Sequence, residues 1–358
     1  MATLARSDIK QKAKKYMEQQ IARLAPGQQL PPVRTLMKEM EIGRIRMDSL
    51  LDEFESKGYI ERRASKGIFR SQSVPKSLLV PYIDIISCGL PVDYDGGKSF
   101  FSELIAIFTS EAARQTRGVR FHKVRMGEPI ADYESIIRMA DIKACVLIGM
   151  HSPDITELFD KMNISWVSLF PNNNYNLQKS ILPSSEVVKL QLEHLFSLGH
   201  TNIAYLHSVN ERAPSQALVA RREDYYRIMA ENGCRVNPDW VRFTSFEDEY
   251  IDEVCSRIFS TSPMPTAIIV PDPVLSGLYR FLEKKGLRAG RDVSVVATDD
   301  LSIARSLYPT VTSVHVSLKL VVSKTLETIN AVVNSEEVPD IYRLPVELIV
   351  RESTVSIK

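Results

Sequence analysis

Cysteine is scarce in this 358-residue sequence, and the four it has, Cys88, Cys145, Cys234 and Cys255, are scattered with no C-x-x-C pair. Metal clusters need tightly spaced ligands, so no zinc site is expected. Isolated thiols read as buried, reduced side chains of a cytoplasmic protein rather than as a disulfide framework. Long apolar runs are missing too: stretches such as Ala144–Gly149 fall far short of the roughly 20 residues that span a bilayer. The N-terminus is charged and helical in pattern, without the apolar core of a secretory signal. Catalytic and nucleotide signatures are also absent: no G-x-S-x-G, P-loop, G-x-G-x-x-G or H-E-x-x-H. The six histidines, among them His122, His151, His194, His200 and His315, show no metal spacing, and His200 in Leu198-Gly199-His200 reads as structural. No catalytic residue, cofactor, metal or membrane partner is therefore expected.

An excess of charge of one sign is lacking as well, with 45 Lys and Arg against 44 Asp and Glu, a formal charge of +1. Taken whole, that balance argues against a nucleic-acid partner, but dividing the chain reverses the inference. Residues 1–70 carry 15 basic and 9 acidic residues, net +6, and the remainder 30 and 35, net −5. A basic head on an acidic body is the asymmetry of a nucleic-acid-binding module joined to a carrier with another task. The 44% apolar and 25% charged fractions are those of a globular chain, and the length suggests two or three folding units.

Within residues 1–70 three helical patterns follow one another. Ser7 is a plausible N-cap for the first, with Ile9, Ala13, Tyr16, Met17, Ile21 and Leu24 on one face and Pro26-Gly27 as its stop. Pro32 suits the first turn of the second, which carries Val33, Leu36, Met37 and Met40. After Glu41-Ile42-Gly43, a third helix turns Met47, Leu50, Leu51 and Phe54 inward, and Gly58 closes it. Tyr59–Arg63 and Ile68–Arg70 read as two short strands around Ala64-Ser65-Lys66-Gly67. This is the order of a winged helix-turn-helix. The third helix would present Arg44, Ile45, Arg46, Asp48 and Ser49 outward, where Arg46 could read guanine O6/N7 and Ile45 a thymine methyl. A solvated helix face with arginines for solubility is the alternative that these residues alone leave open.

Gly27-x-x-Leu30-Pro31-x-x-Arg34, Ile42-x-Arg44-x-x-Met47, Leu51, Gly58-Tyr59-Ile60-Glu61-Arg62-Arg63 and Gly67-Ile68-Phe69 resemble the GntR-type DNA-binding domain without gaps over residues 27–69. The resemblance implies that Arg34 and Arg44 hold DNA and that the wing tip, Ser65-Lys66-Gly67, approaches the minor groove. Thr35, Ile45, Arg46 and Ser49 complete the expected DNA-binding set. Two positions depart from the family: Gly43 replaces a Ser or Thr that binds phosphate, and Asp48 replaces a basic DNA contact.

Ser71–Pro81 reads as a linker, with Ser73, Pro75 and Ser77 and no apolar period before Leu78. From Ile83 onward short apolar strands alternate with amphipathic helices. The strands are Ile83–Ser87, Val119–Val124, Ala144–Gly149, Ser165–Phe170, Ile203–His207, Ala267–Val270, Val293–Ala297 and Ser313–Val316. The alternation predicts βαβ units with parallel sheets in two lobes and a cleft outside the carboxyl ends of the strands. Leu195-Phe196-x-Leu198-Gly199-His200-x-x-Ile203-Ala204-Tyr205, Arg222, Pro265-Thr266-Ala267-Ile268, Asp292-Val293-Ser294-Val295-Val296, Asp299-Asp300 and Pro309-x-Val311-Thr312-Ser313-Val314 resemble the effector domain of LacI/GalR-type repressors. The terminal Leu344-Pro345-x-x-Leu348-Ile349-x-Arg351-x-Ser353-Thr354 extends that match over roughly residues 80–358. The implied ligand-binding residues are Phe100 and Phe101 (with Ser99 beside them), Arg222, Asp272 and Asp299. Core packing is the alternative for the two phenylalanines, an ion pair for Arg222 and a turn cap for Asp299. Pro271 stands where the family has an amide ligand, and Tyr225-Tyr226 where it prefers Gly and an aromatic.

The expected fold is therefore an α+β winged helix-turn-helix (1–70), a linker (71–81) and a two-lobed α/β, periplasmic-binding-protein-like body with parallel sheets (82–358). A GntR-type head on such a body is similar to the arabinose repressors. The expected function is a cytoplasmic, homodimeric regulator of transcription, a repressor in the family pattern. It would bind a pseudo-palindromic double-stranded operator under control of a small effector, by family default a sugar. A sugar-binding receptor or an enzyme on the same scaffold is the alternative.

Overall fold

The computed structural model describes residues 2–72, 74, 80, 82–88, 100–115, 117–124, 130–149, 152–171, 177–208, 216–244 and 248–357. At the N-terminus lie α1 (Ala2–Arg23), α2 (Val33–Glu39) and α3 (Arg44–Ser56), then the antiparallel hairpin of β1 (Ile60–Arg63) and β2 (Gly67–Arg70). The apolar positions of the three helices meet in one core, where Met17, Ile21, Leu36, Met47, Leu50, Leu51 and Phe54 join Ile60 and Ile68 of the hairpin. Pro26-Gly27 breaks the chain after α1, and Gly27, at φ +77°, donates its N–H to the Arg70 carbonyl at 2.9 Å. Ser7 does not cap α1. The helix runs through it from Ala2, because nothing in the preceding residues interrupts helical backbone.

Val74 is buried in this head core and Val80 in the core of the body, so both ends of the connecting segment are pinned. Ser73, Pro75, Ser77, Leu78 and Pro81 lie outside the described residues, as do Ser99 and His151.

The body is two six-stranded sheets. The first lobe contains β3 (Tyr82–Cys88), α4 (Phe100–Arg114), β4 (Gly118–Val124), α5 (Ile130–Ala140), β5 (Ala144–Gly149), α6 (Pro153–Lys161), β6 (Ser165–Leu169) and β7 (Ser180–Pro183). The second contains α7 (Val187–Ser197), β8 (Ile203–His207), α8 (Gln216–Glu231), β9 (Val241–Phe243), α9 (Asp248–Phe259), β10 (Ala267–Pro271), α10 (Leu275–Lys284), β11 (Ser294–Asp299), α11 (Ser302–Ser306) and β12 (Thr312–Val316). The chain then returns: α12 (Leu318–Val333) packs on the first sheet and β13 (Ile341–Leu344) joins its edge. One residue later β14 (Val346–Ile349) joins the second sheet antiparallel to β12. The strand orders are β13-β7-β6-β5-β3-β4, all parallel, and β14-β12-β11-β10-β8-β9, parallel except for β14. Three chain crossings thus connect the lobes.

The central strands read as continuous apolar runs because helices cover both faces. In β5 every residue is buried: Val146 and Ile148 face α4 and α12, while Cys145 and Leu147 face α5 and α6. The expected strands are all present, within two residues of their predicted ends. Four more, β7, β9, β13 and β14, are edge or near-edge strands of three or four residues whose short, mixed sequences carry no period. Cys145 and Cys255 are buried as expected, whereas Cys234 is half-exposed, at the polar turn after α8.

Among the described residues no helix is long and apolar enough to cross a membrane, and no group of three or more His, Cys, Asp or Glu is placed to hold a metal ion.

Candidate functional site

The head presents a continuous exposed face. Arg34 and Thr35 on α2, Arg44, Ile45, Arg46 and Ser49 on α3, and Lys66 and Gly67 at the hairpin tip are all exposed. Ile45 is 87% exposed, an apolar side chain left outside the head's core. The inward series of α3 explains how: with Met47, Leu50, Leu51 and Phe54 in the core, the positions between them must point out. The hairpin tip is tied to the helices by Gln29, whose Nε2 donates to the Lys66 carbonyl at 2.7 Å, and by the Leu30 N–H to the Ile68 carbonyl at 2.8 Å. Gly67 sits at φ +108°, where an added Cβ would lie 2.5 Å from Gln29 Nε2. Gly43 is the N-cap of α3 and supplies no side-chain cap. Asp48 is not a lone anion on this face: its Oδ2 accepts from Arg44 Nε at 3.0 Å.

The second candidate region lies at the carboxyl ends of the body's strands. Asp299 ends β11 at φ +82° and is followed by Asp300 at φ +51°, both left-handed. The turn is held by Asp272, whose Oδ1 accepts the Thr298 N–H (3.0 Å) and whose Oδ2 accepts the Leu301 N–H (2.6 Å). Asp272, expected as a ligand contact, has 0% exposure and both oxygens bonded to backbone, so in this structure it holds the turn that carries Asp299. Burial, then the neighbouring Asp299, pushes its carboxyl well above the ordinary range. Asp300 turns the other way, into an ion cluster with Arg351 (2.7 Å), Arg305 (3.1 Å) and His315 (3.0 Å).

Asp299 itself is raised by burial and partly restored by the charge of Arg221. Arg221 was not among the predicted residues; Arg222, its neighbour on α8, was. Both are half-buried, and both lower the hydroxyl of Tyr205, which burial nonetheless pushes to about 12. The helix register is set by Tyr225, which stacks on Tyr205 (centroids 4.9 Å apart, planes 13° apart) and donates to the Ile203 carbonyl at 2.6 Å. Tyr225 therefore fills with an aromatic ring the place where the resemblance has a glycine. A signal for Arg221 existed in the doubled arginine, but one helical position apart the two cannot be ranked without knowing how Tyr225 packs.

From the first lobe, Phe100 and Phe101 open α4. Phe100 meets Phe101 (5.5 Å) and Phe170 (5.1 Å) edge to face, and all three are partly buried against the lobe's core. Phe170, just past β6 at φ +51°, was read only as a strand end. The lobes touch here: Glu103 Oε1 on α4 accepts both the N–H (2.9 Å) and the hydroxyl (2.6 Å) of Ser302, three residues past Asp299. The first turn of α4 therefore faces the β11–α11 turn, as expected of two lobes enclosing a cleft.

Comparison with known proteins bears on the body. Residues 192–354 match the periplasmic binding protein-like domain family. The chain is 28% identical over 262 residues to the HTH-type transcriptional repressor PurR of Vibrio campbellii, covering 71% of this chain and 77% of that one. It is 31% identical over 175 residues to the PurR repressor of Haemophilus influenzae, covering 47% and 51%. It thus spans about three quarters of the length of the first relative and about half of the second. Among solved structures, a LacI-family regulatory protein from Chloroflexus aggregans superposes with TM-score 0.65 at 20% identity over 76% of this chain and 98% of that one. The lac repressor dimer bound to operator and the anti-inducer ONPF does so with TM-score 0.65 at 19% identity over 77% and 94%. The family match lies wholly in the body and lends no support to a GntR-type assignment of the head, for which a LacI-type helix-turn-helix would be the usual companion. The body of the chain is a two-lobed periplasmic-binding-protein-like domain with the fold of LacI-type regulators.

Proposed function

We propose that the protein is a transcriptional repressor whose hold on operator DNA is set by a small molecule bound between the two lobes. One observation carries this reading: a two-lobed body similar to PurR repressors follows a head whose third helix turns exposed Arg44, Ile45, Arg46 and Ser49 outward beside a hairpin tip with Lys66. The order of three helices and a hairpin, and the residues quoted from 27 to 69, support a winged helix-turn-helix of GntR type rather than the helix-turn-helix usual for LacI-type bodies. In this reading Arg34 and Thr35 hold the phosphate backbone, α3 enters the major groove with Arg46 and Ile45 at base edges, and Lys66-Gly67 approach the minor groove. A C2 homodimer would match a pseudo-palindromic operator.

The effector site comprises Arg221, Arg222 and Asp299 of one lobe and the aromatic edge of Phe100, Phe101 and Phe170 of the other. A carboxylate beside guanidinium groups offers both acceptors and donors to ring hydroxyls, and the aromatic edges cover apolar ring faces. Solved neighbours carry glucose, cellobiose and ribose, which supports a sugar as the effector class. Closure on the effector acts through α4, whose first turn meets Ser302 and whose far end leads to Arg117 beside α1 of the head. Ligand and DNA affinities are then coupled reciprocally.

Binding of the full chain to duplexes from its own promoter region, titrated with salt, tests the first half: affinity must fall steeply as phosphate contacts release counterions. A thermal-shift screen of monosaccharides and disaccharides tests the second, since a ligand at about 100 times its Kd adds ~2.7 kcal/mol to the state that binds it. Salt-independent binding, or a melting temperature unmoved by every sugar, overturns the corresponding half.

A further inference from the structure

The Arg44–Asp48 pair has a consequence for what α3 reads. Arg44 is the first residue of α3, and its Nε is held 3.0 Å from Asp48 Oδ2, one turn along the same face that shows Ile45, Arg46 and Ser49. A guanidinium offers two forked edges. The Nε edge is turned to Asp48, which leaves the Nη1/Nη2 end as the fork that points outward. That end fits either guanine O6/N7 or a phosphate. The choice between them is decided by charge. The pair is neutral overall, so its pull on a phosphate is small and Asp48 repels the same group, whereas guanine O6 and N7 are neutral acceptors and favour the fork without that penalty. Asp48 Oδ1, the oxygen that Arg44 Nε does not take, is an acceptor to which a base amino group can donate in a major groove: cytosine N4 or adenine N6. In the free protein the pair is exposed and adds little stability. Docking would desolvate it and fix the arginine's rotamers in advance.

We propose that Arg44 and Asp48 form one base-reading unit, Arg44 taking a guanine and Asp48 the amino group of the adjoining cytosine or adenine, so that Arg44 is not a phosphate anchor. The inference rests on the reading of α3 as a recognition helix.

Selection of bound duplexes from a randomised pool by the full-length protein, followed by salt titration on the enriched duplex, tests it with Arg44→Ala, Asp48→Ala and Asp48→Asn. The native protein should enrich a guanine flanked by an amino-bearing base in each half-site. Arg44→Ala should lose that guanine preference by about 5- to 140-fold while its salt slope stays unchanged. Asp48→Ala should relax the flanking base and steepen the salt slope by about one phosphate contact, as the freed arginine turns to the backbone. Asp48→Asn, which keeps one acceptor, should retain part of the flanking preference. Arg44→Ala weakening all sequences alike with a shallower slope, or Asp48→Ala enriching the native sequence with the native slope, overturns the proposal. A native protein that binds no duplex in a salt-dependent way overturns it together with the repressor reading, and only that outcome touches both.

Discussion

Glu103 and Ser302 lie 199 residues apart in the chain, yet one carboxylate oxygen of Glu103 accepts both the backbone N–H and the hydroxyl of Ser302, joining α4 of the first lobe to the start of α11 in the second. The link sits beside the turn that carries Asp299, so it can respond to whatever occupies the cleft. Because the bond is open to solvent, its strength is modest, but it gives the unpaired first-turn N–H of a helix a carboxylate partner. Glu103→Ala should leave that N–H to solvent and let the lobes separate. Hydrogen exchange at Ser302 should accelerate severalfold, with a small increase in the radius of gyration by X-ray scattering. Unchanged exchange at Ser302 would mean that the lobes are held elsewhere.

Asp272 holds the strained turn from inside. Replacing it with alanine removes the acceptor for two buried N–H groups, those of Thr298 and Leu301. Each orphaned group costs about 1–3 kcal/mol, so Asp272→Ala should lower the melting temperature by roughly 4–24 °C at ~2–4 °C per kcal/mol. Sugar binding should weaken with it, because Asp299 would no longer be held at φ +82°. Asp299→Ala should instead abolish sugar binding and leave the melting temperature of the free protein nearly unchanged or raised, since it removes a desolvated carboxylate that the charge of Arg221 only partly compensates. The two variants separate positioning from contact by calorimetry.

The C-terminal segment carries a pH dependence of predictable sign. His200, buried after α7, donates through Nε2 to the Val355 carbonyl (2.9 Å), and its Nδ1 lies 2.9 Å from the Thr266 hydroxyl. Burial lowers its pKa, and burial followed by the charge of His200 lowers that of His194, which meets the Thr354 hydroxyl at 3.0 Å. A folded-state pKa below the unfolded value of about 6.5 means that the unfolded chain binds protons first as pH falls. The stabilisation is therefore complete above about pH 6.5 and declines below it until the lowered folded-state values are passed. Thermal melts between pH 7.5 and 5.5 should show that decline. In His194→Asn/His200→Asn the curve over this window should be flatter, even if the variant is less stable throughout.

How much of this was written in the sequence differs by region. The head's core was readable because Met47, Leu50, Leu51 and Phe54 repeat at helical spacing and the glycines stand where the backbone turns left-handed. The central strands were readable because burial on both faces makes them uninterrupted apolar runs. The edge strands were not, since three or four half-solvated residues have no pattern to read. At the site, Asp299 was legible only through the resemblance that the Asp299-Asp300 pair carries. That Asp272 faces inward depends on a turn 26 residues away, and the choice between Arg221 and Arg222 depends on Tyr225 lying against Tyr205. Such facts are tertiary, and local sequence does not carry them. Asp48 was visible as a misfit; only its distance to Arg44 Nε turned it from a repulsive group into a partner.

Arg117, just before β4, is 9% exposed, and burial lowers the pKa of its guanidinium while Glu18 of α1 and the Tyr59 hydroxyl at the foot of the hairpin act in the opposite direction. The reciprocal effect is present at Tyr59, which burial and Glu18 raise and Arg117 lowers. A buried cation of the body therefore lies within the electrostatic reach of an acidic group on the head. Removing one member of such a set leaves the other charge buried and poorly compensated, which costs more than the pair ever contributed. Arg117→Met should consequently undock the head from the body without unfolding either, because the two cores share no residue. Proteolysis between Ser71 and Pro81 should then accelerate, and the thermal transition should split into two. Glu18→Gln alone should produce a smaller effect in the same direction, and Glu18→Gln combined with Arg117→Met should be less destabilised than the sum of the single variants. Additive effects in that cycle, with linker cleavage unchanged, would show that Arg117 serves only the body and that the head is coupled to the cleft by another route.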